Sequence, residues 1–357
     1  MKRFLLSASS LLLSSMMCFS QGKESFELSP VLDTKLDSKT NTIYCATFEL
    51  AWNELKKFHQ GKVLLKDGPD YLEDLNKSTL SKDELPKDSC VVAAGKVSDG
   101  IVDKIDQELK KKLKTSLEDL QYTPGANARL IAFAYLQRNL PFRRKFTRFR
   151  KKSIQFQGGE KTTKVTCFGC TKKTADRYTD EVKIRHYKNT DDFILQLRTR
   201  RKGETIVLAK MARPKSMKEA VYKVYQQLNK KLPSSIEVKV DGKKRYYPTS
   251  LSDSDTLLIP VMKFDVRSDF TGLLGKQILN PVGNLIQIGR ASQWVQFSLD
   301  EKGAKLKSSA EIELEEGGPR PRKFIFDKPF LICLWKKGEP YPYFAAWVNN
   351  PDVMLKK

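Results

Sequence analysis

The second half of the chain constrains the fold most, because many strand-like segments follow residue 129 and only one long helical pattern interrupts them. These segments combine β-branched and aromatic residues with strand-like lengths: 129–136, 161–167, 181–187, 192–199, 204–210, 236–240, 257–266, 292–299, 330–335 and 343–348. Residues 41–58 predict a short entry strand followed by a helix, apolar residues recur at helical spacing in 99–115 and 215–231, and 269–275 suits a short helix. The apolar run 129–136 predicts a strand buried on both faces. Early helices and late strands predict a large α+β domain with mixed and antiparallel sheets.

The beginning of the chain is typical of an exported protein. Lys2 and Arg3 precede an apolar stretch, Phe4 to Phe19, which is short and rich in serine. We predict that residues 1–20 are a signal peptide and that 21–357 form a single domain. The mature protein would then be secreted to the extracellular space, or to the periplasm in a bacterium. No later segment is long and apolar enough to span a membrane.

The chain is strongly basic, with a formal net charge of +23 at pH 7. Such a surface attracts polyanions, and we predict an acidic glycan or an anionic envelope as a partner. The candidate polyanion patch interleaves cations with Phe142, Phe146 and Phe149. Its cations are Arg143, Arg144, Lys145, Arg148, Arg150, Lys151 and Lys152. An ordinary solvated basic surface is the alternative interpretation.

The chemistry-bearing residues do not form a pattern typical of an enzyme. We find no hydrolase elbow, no phosphate-binding glycine loop and only two histidines. Beyond Cys18, which leaves a lipid anchor as an alternative to a signal peptide, an odd number of cysteines remains: Cys45, Cys90, Cys167, Cys170 and Cys333. Cys167 and Cys170 have no second pair to complete a zinc site, so they are inert thiols or a local disulfide. We predict no catalytic residue, no metal and no cofactor.

Four segments near the end of the chain resemble the serpin superfamily in order and spacing. They are Leu258–Asp265, Asp300–Ala304, Phe326–Leu331 and Tyr343–Pro351. The resemblance implies helices packed on a large mixed or antiparallel central sheet with smaller sheets beside it. It also implies an exposed reactive-centre loop over about 303–323. The N-terminal half is shorter than in the family, and Cys45-Ala46-Thr47 stands where the family opens a helix with Ser-Pro.

Segment 304–314 alternates like a strand with one buried face. Gly317, Gly318 and Pro319 follow it and would break any strand. The predicted hinge and insertion strand comprise Glu301, Gly303, Ala304, Leu306, Ser308, Ala310, Ile312 and Leu314. The predicted scissile region is Glu316, Gly317 and Gly318.

The resemblance implies a protease inhibitor of the suicide-substrate type, in which a protease cuts the loop and 304–314 then joins the central sheet. Glu316 would suit a protease that recognises acidic residues, and Arg320 or Arg322 would suit a trypsin-like one. Lys305, Leu306 and Lys307 are bulkier than the residues of an efficient inhibitory hinge. Two alternatives therefore stay open: a plain hairpin of 304–314 with 322–326, and a non-inhibitory serpin-like binding or structural protein. We expect a monomer.

Overall fold

The computed structural model describes residues 25–159, 161–172, 174–240, 242–279, 286–303 and 321–357. Four α-helices occur in this part of the chain: α1 (Thr47–Phe58), α2 (Leu72–Lys77), α3 (Ile101–Leu113) and α4 (Met217–Asn229). The strands of the first half are β1 (Phe26–Ser29), β2 (Asn41–Cys45), β3 (Cys90–Lys96), β4 (Leu130–Leu136), β5 (Thr147–Gly158), β6 (Lys161–Cys170) and β7 (Val182–Asn189). Those of the second half are β8 (Asp192–Arg198), β9 (Glu204–Lys210), β10 (Ser235–Val240), β11 (Lys243–Pro248), β12 (Thr256–Pro260), β13 (Met262–Asp269), β14 (Ser292–Leu299), β15 (Lys323–Ile325), β16 (Phe330–Lys336) and β17 (Phe344–Val348).

The largest sheet has seven strands in the order β1-β2-β17-β16-β9-β8-β7. Its central strands β9, β16 and β17 are apolar and buried on both faces, which matches their nearly continuous hydrophobic sequences. Ser216 caps the N-terminus of helix α4, where its hydroxyl accepts from the Glu219 amide, and the helix contacts β17 and β7. Among the helices described, none is long and apolar enough to cross a membrane.

A second sheet has four strands in the order β15-β12-β6-β5. Aromatic rings fill the core that it shares with the largest sheet. Phe193 of β8 lies 5.2 Å, centroid to centroid, from Phe324 of β15 and 5.2 Å from Phe326. All three rings are fully buried, so the start of the C-terminal segment is fixed between the two sheets.

Two antiparallel pairs, β3–β4 and β13–β14, lie apart from these sheets. Helix α1 packs against β3 and β4 on one side. Helix α3 packs against β3, and its buried stripe meets Ile131 and Phe133 of β4. The hairpin β10–β11 forms a further two-stranded ribbon that contacts β7.

Most predicted elements are found. The predicted strand and helix of 41–58 are β2 and α1, and the helical segments 99–115 and 215–231 contain α3 and α4. The predicted helix at 269–275 is wrong, because the chain turns there, and 257–266 is two strands that separate at Val261.

The degree of burial predicted for 129–136 is also wrong. Within β4 only Ile131 and Phe133 are buried, and among the described residues β4 pairs only with β3. Segment 304–314, and with it the hairpin alternative, lies outside the described residues.

Candidate functional site

The candidate site lies between the edges of β4 and β14 that have no strand partner among the described residues. In the described ranges β4 pairs only with β3, β14 pairs only with β13, and no backbone hydrogen bond joins β4 to β14. Both pairs contact α1 or the residues at its start. Strand β4 contacts α1. The Gln293 side chain of β14 donates to the Cys45 carbonyl at 2.9 Å and to the hydroxyl of Thr47, the first residue of α1, at 2.8 Å. We call the interval between these edges the β4–β14 gap.

The segments that follow β4 and β14 meet at one end of this gap. The Phe142 amide donates to the Lys302 carbonyl at 2.8 Å, and the Phe146 amide donates to the Glu301 carbonyl at 2.7 Å. Both strands therefore point towards this junction and run in the same direction. We call Asp300–Gly303 the proximal root. A strand that entered the gap from the proximal root would have to turn back and run antiparallel to both neighbours.

Gly303 ends the proximal root and forms a β-bridge with Pro141. Its φ is +110°, and a Cβ atom there would lie 2.4 Å from the Leu140 carbonyl oxygen. Only glycine therefore fits this close contact between two backbones. The predicted hinge residue Gly303 thus has a clear structural role, whereas the hinge and insertion residues from Ala304 to Leu314 and the scissile region 316–318 lie outside the described residues.

The carboxylate of Glu301 is buried in the proximal root, with a side chain only 1% exposed. Arg148 donates to its Oε2 at 3.2 Å, and the Lys145 ammonium lies 4.0 Å from Oε1. A buried carboxylate is stable only with such compensation. Two cations of the candidate polyanion patch are therefore engaged with the hinge.

The far side of segment 304–320 is held by Arg322, which we call the distal anchor. Its guanidinium forms a bidentate pair with Asp255, at 3.1 and 2.7 Å, and both side chains are 1% exposed. It also donates to the carbonyls of Pro248 at 2.7 Å and Ser250 at 2.9 Å. This burial rules out the suggestion that Arg322 is a recognition residue for a trypsin-like protease.

The rest of the candidate polyanion patch is divided. Arg143 pairs with Glu181 at 2.8 Å, whereas the Lys151 carbonyl accepts from Lys357 at 2.8 Å near the end of the chain. Phe142 and Phe146 are buried core residues, so they do not belong to a binding surface. A local irregularity separates the end of the patch from the rest. The pairing of β5 with β6 shifts register between Phe149 and Ser153, so Arg150, Lys151 and Lys152 lie outside the ladder of paired residues.

The five cysteines outside the signal-like segment are free thiols. Burial raises the pKa of Cys167 to about 11 and that of Cys170 to about 12. Burial also raises the pKa of Cys333 and, more weakly, that of half-buried Cys90. Thiols with raised pKa values react slowly, so Cys167 and Cys170 are the inert pair of the two alternatives.

Sequence reasoning missed the partners that hold both ends of the segment. Asp255 and Arg322 are far apart in sequence and have no shared motif. Sequence reasoning also missed the ion pair of Arg138 with Glu204, because no local sequence pattern indicates it. The Tyr343 hydroxyl donates to the same glutamate at 3.1 Å. Glu301 and Gly303 were identified, through their place in the resemblance.

The architecture is similar to that of solved structures. A structure of thyroxine-binding globulin in complex with thyroxine matches with a TM-score of 0.52 and 12% identity, covering 87% of this chain and 93% of that chain. The chain has a serpin-like fold. Human thyroxine-binding globulin with thyroxine gives a TM-score of 0.49 at 14% identity and covers 87% and 92% of the two chains. Serpin-12, a serine protease inhibitor of Manduca sexta, gives 0.49 at 11% identity and covers 88% and 94%.

The serpin-like fold confirms the α+β, serpin-like class predicted from the sequence. No protein-family model matches the chain, and no curated protein matches it by sequence. At these identities the likeness concerns the fold alone. Any activity must be argued from the residues of this chain.

Proposed function

We propose that this serpin-like protein inhibits a protease as a suicide substrate. The protease cuts near Glu316–Gly318, and segment 304–314 then enters the β4–β14 gap as a new strand. One observation carries the proposal: among the described residues β4 and β14 each keep an unpaired edge, and Gly303 at the end of the gap immediately precedes the alternating segment.

The chemistry requires only that the protease reaction be interrupted. The protease hydroxyl attacks the scissile carbonyl, an ester forms, and the new amino terminus leaves on the side of the distal anchor. Residues 304–314 are then no longer joined to the distal anchor; their far end carries the esterified protease, and their near end remains attached to the proximal root. If insertion precedes hydrolysis of the ester, the protease is carried along and distorted. The protein acts here as a substrate and catalyses nothing.

Insertion is favourable for two physical reasons. The new strand satisfies the backbone groups of both neighbouring edges, and it buries the inward-facing side chains of the segment. At about 25 cal/mol per Å² of apolar area, that burial contributes several kcal/mol. The alternation of 304–314 supplies one apolar face, which a merely exposed tether would not need.

A non-inhibitory binding protein is the second candidate. A cavity of about 590 Å³ lies at the ends of β9 and β17, where Lys210, Arg213, Lys328 and Asn349 contribute to its wall. The side-chain Nδ2 atom of Asn349 is buried and has no hydrogen-bond partner among the described residues. One structural neighbour is a thyroxine complex, which favours a ligand-binding role on this fold.

Export is part of the proposal. A suicide-substrate inhibitor must reach the compartment that contains its target protease. We therefore propose that segment 1–20 is a signal peptide and that the mature protein is secreted. N-terminal sequencing of the protein recovered outside the producing cell would test this, and recovery with residues 1–20 intact inside the cell would contradict it.

Covalent capture tests the inhibitor proposal directly. We would mix the protein with a panel of serine proteases and look for a complex that survives denaturing electrophoresis. Ala310→Arg places a charge on the inward face of segment 304–314, whereas Ser309→Arg places the same charge on its outward face. We expect Ser309→Arg to form the complex and Ala310→Arg to be cut without forming it. Cleavage of every variant with no complex would favour the binding-protein candidate.

A further inference from the structure

The outward face of the β13–β14 pair carries the least buried tryptophan of the chain. All four tryptophans are described: Trp52, Trp335 and Trp347 are 4% exposed or less, whereas Trp294 lies partly in solvent. Residues that pair across these strands share a face, so the neighbours of Trp294 follow from the register. We call this surface the tryptophan face. The members that matter here are Lys263, Asp265, Arg267, Asp269, Trp294 and Gln296.

Two described contacts hold the indole ring of Trp294 in one orientation. Its Nε1–H donates to a carboxylate oxygen of Asp265 on the neighbouring strand. The guanidinium of Arg267 stacks on one face of the ring, 3.9 Å from the ring centroid. Because the ring is already fixed, a ligand that packs on its other face costs the protein little conformational entropy.

The β13–β14 pair does not need Trp294 in order to form. Eight residue pairs join the two strands, from Met262 with Leu299 to Asp269 with Ser292. The opposite face of the pair is buried in the main core through two phenylalanines and two valines, Phe264, Val266, Val295 and Phe297. A large aromatic ring on the outward face adds nothing to that core, which points to a partner outside the fold.

The other members of the tryptophan face are exposed, polar and balanced in charge. Lys263 and Arg267 offset Asp265 and Asp269, although the whole chain has a formal net charge of +23. The Gln296 side chain donates to Asp265 at 2.6 Å, and its own carbonyl oxygen remains as an acceptor. One aromatic ring therefore lies among hydrogen-bond donors and acceptors, on a surface without an excess of cations.

We propose that the tryptophan face binds a neutral polysaccharide. A pyranose ring has a face of C–H groups, which packs on an indole ring, and a rim of hydroxyls. Those hydroxyls donate to Asp265 and Gln296 and accept from Arg267. A protein partner needs a larger apolar centre than one ring, and a nucleic acid or a sulfated chain needs an excess of cations. The tryptophan face offers neither.

The binding test uses the intact, uncut chain and the fluorescence of Trp294. The probes are four neutral pentasaccharides: cellopentaose, maltopentaose, mannopentaose and N-acetylchitopentaose. Because the other three tryptophans are buried, a saccharide stacked on Trp294 should shift the emission maximum to shorter wavelength by keeping water from the ring. Affinity for each probe that causes a shift would be measured by titration calorimetry.

Two variants alter the tryptophan face, and a third is the matched control. Trp294→Ala removes the ring, whereas Gln296→Ala removes a polar contact and keeps the ring. Tyr246→Ala is the control, because it removes a 63% exposed aromatic side chain from the β10–β11 ribbon. Far-UV circular dichroism would verify that each variant folds. If Trp294→Ala does not fold, Gln296→Ala and the emission of the parent chain still decide the outcome.

We expect at least one pentasaccharide to shift the emission of the parent chain. Trp294→Ala should lose about tenfold or more in affinity, and Tyr246→Ala should stay within about twofold. Gln296→Ala should lose about threefold, as for one hydrogen bond. No shift with any of the four probes would overturn the proposal, and so would equal losses in Trp294→Ala and Tyr246→Ala.

Heparin is the charged comparison. A larger emission shift with heparin than with every neutral probe would overturn the choice of a neutral polymer. A smaller shift, or none, is the expected result, because the tryptophan face has no excess of cations. Since no protease is present, all these outcomes are independent of whether segment 304–314 inserts.

Discussion

The two ends of segment 304–320 are held in different ways. At the distal anchor, Arg322 and Asp255 are both 1% exposed and bonded to each other and to backbone. At the proximal root Glu301 is equally buried, but the side chains of its cationic partners Arg148 and Lys145 are 24% and 42% exposed. A buried pair resists separation far better than a pair whose cation water reaches. Under the proposed mechanism, we therefore expect the proximal root to be the end that opens and insertion to start at Gly303.

The largest effect is expected from breaking the distal anchor. Asp255→Ala leaves the Arg322 guanidinium buried without its carboxylate, so the free energy of unfolding should fall by about 3–5 kcal/mol. Urea denaturation would measure this. Asp352→Ala is the matched control, because it breaks the exposed Lys356 pair and should cost less than about 1 kcal/mol. Similar losses in the two variants would show that the anchor is not special.

Breaking the proximal root should have a smaller and local effect. Arg148→Ala removes the main partner of Glu301 and should cost about 1–2 kcal/mol, because Lys145 still lies near. The Phe142 and Phe146 amides, which donate to the root, should exchange with deuterium about tenfold faster. Hydrogen-exchange mass spectrometry would measure this.

Arg143→Ala is the control for that experiment. Arg143 lies in the same basic segment as Arg148 and pairs with a different buried glutamate, Glu181, which is not part of the root. Exchange of the Phe146 amide should therefore stay near that of the parent chain. If both variants accelerate exchange equally, the Arg148–Glu301 pair is not the contact that holds the root.

The smallest effect is a difference in thiol reactivity. Cys170 pairs with Leu257 of β12, close to the distal anchor, whereas Cys90 is half-buried on β3. Because burial raises the pKa of Cys170 to about 12, its thiolate fraction is small at neutral pH and grows about tenfold per pH unit up to that value. A thiol reagent should label Cys90 first. Asp255→Ala should accelerate labelling of Cys170, and Arg148→Ala should not, as peptide mass spectrometry would show.

The regular elements of the fold were predictable because their signals are local. The sequence patterns of these elements predict which residues are buried: α1 and α4 have apolar residues at helical spacing, and β16 and β17 have continuous apolar runs. Strand β5 was missed because seven cations between 143 and 152 conceal its alternation.

The contacts of the candidate site were mostly not predictable. No sequence pattern indicated that Arg322 would form a buried pair with Asp255, since the two come together only when β15 pairs with β12. The candidate polyanion patch was predicted as one continuous run, but the β5 register shift and Glu301 divide it. Contacts of Thr199 with Phe142 and of Arg200 with Pro141 bring a second basic segment beside the start of the patch. This contact between distant segments appears only in the tertiary structure.

Thermal unfolding of the protein before and after a single cut within 304–320 tests the central claim most directly. A broad-specificity protease would make the cut, and mass spectrometry would locate it. If segment 304–314 joins β4 and β14, the gain of several kcal/mol should raise the melting temperature by about 5–10 °C. A melting temperature that is unchanged or lower after cleavage would contradict the account.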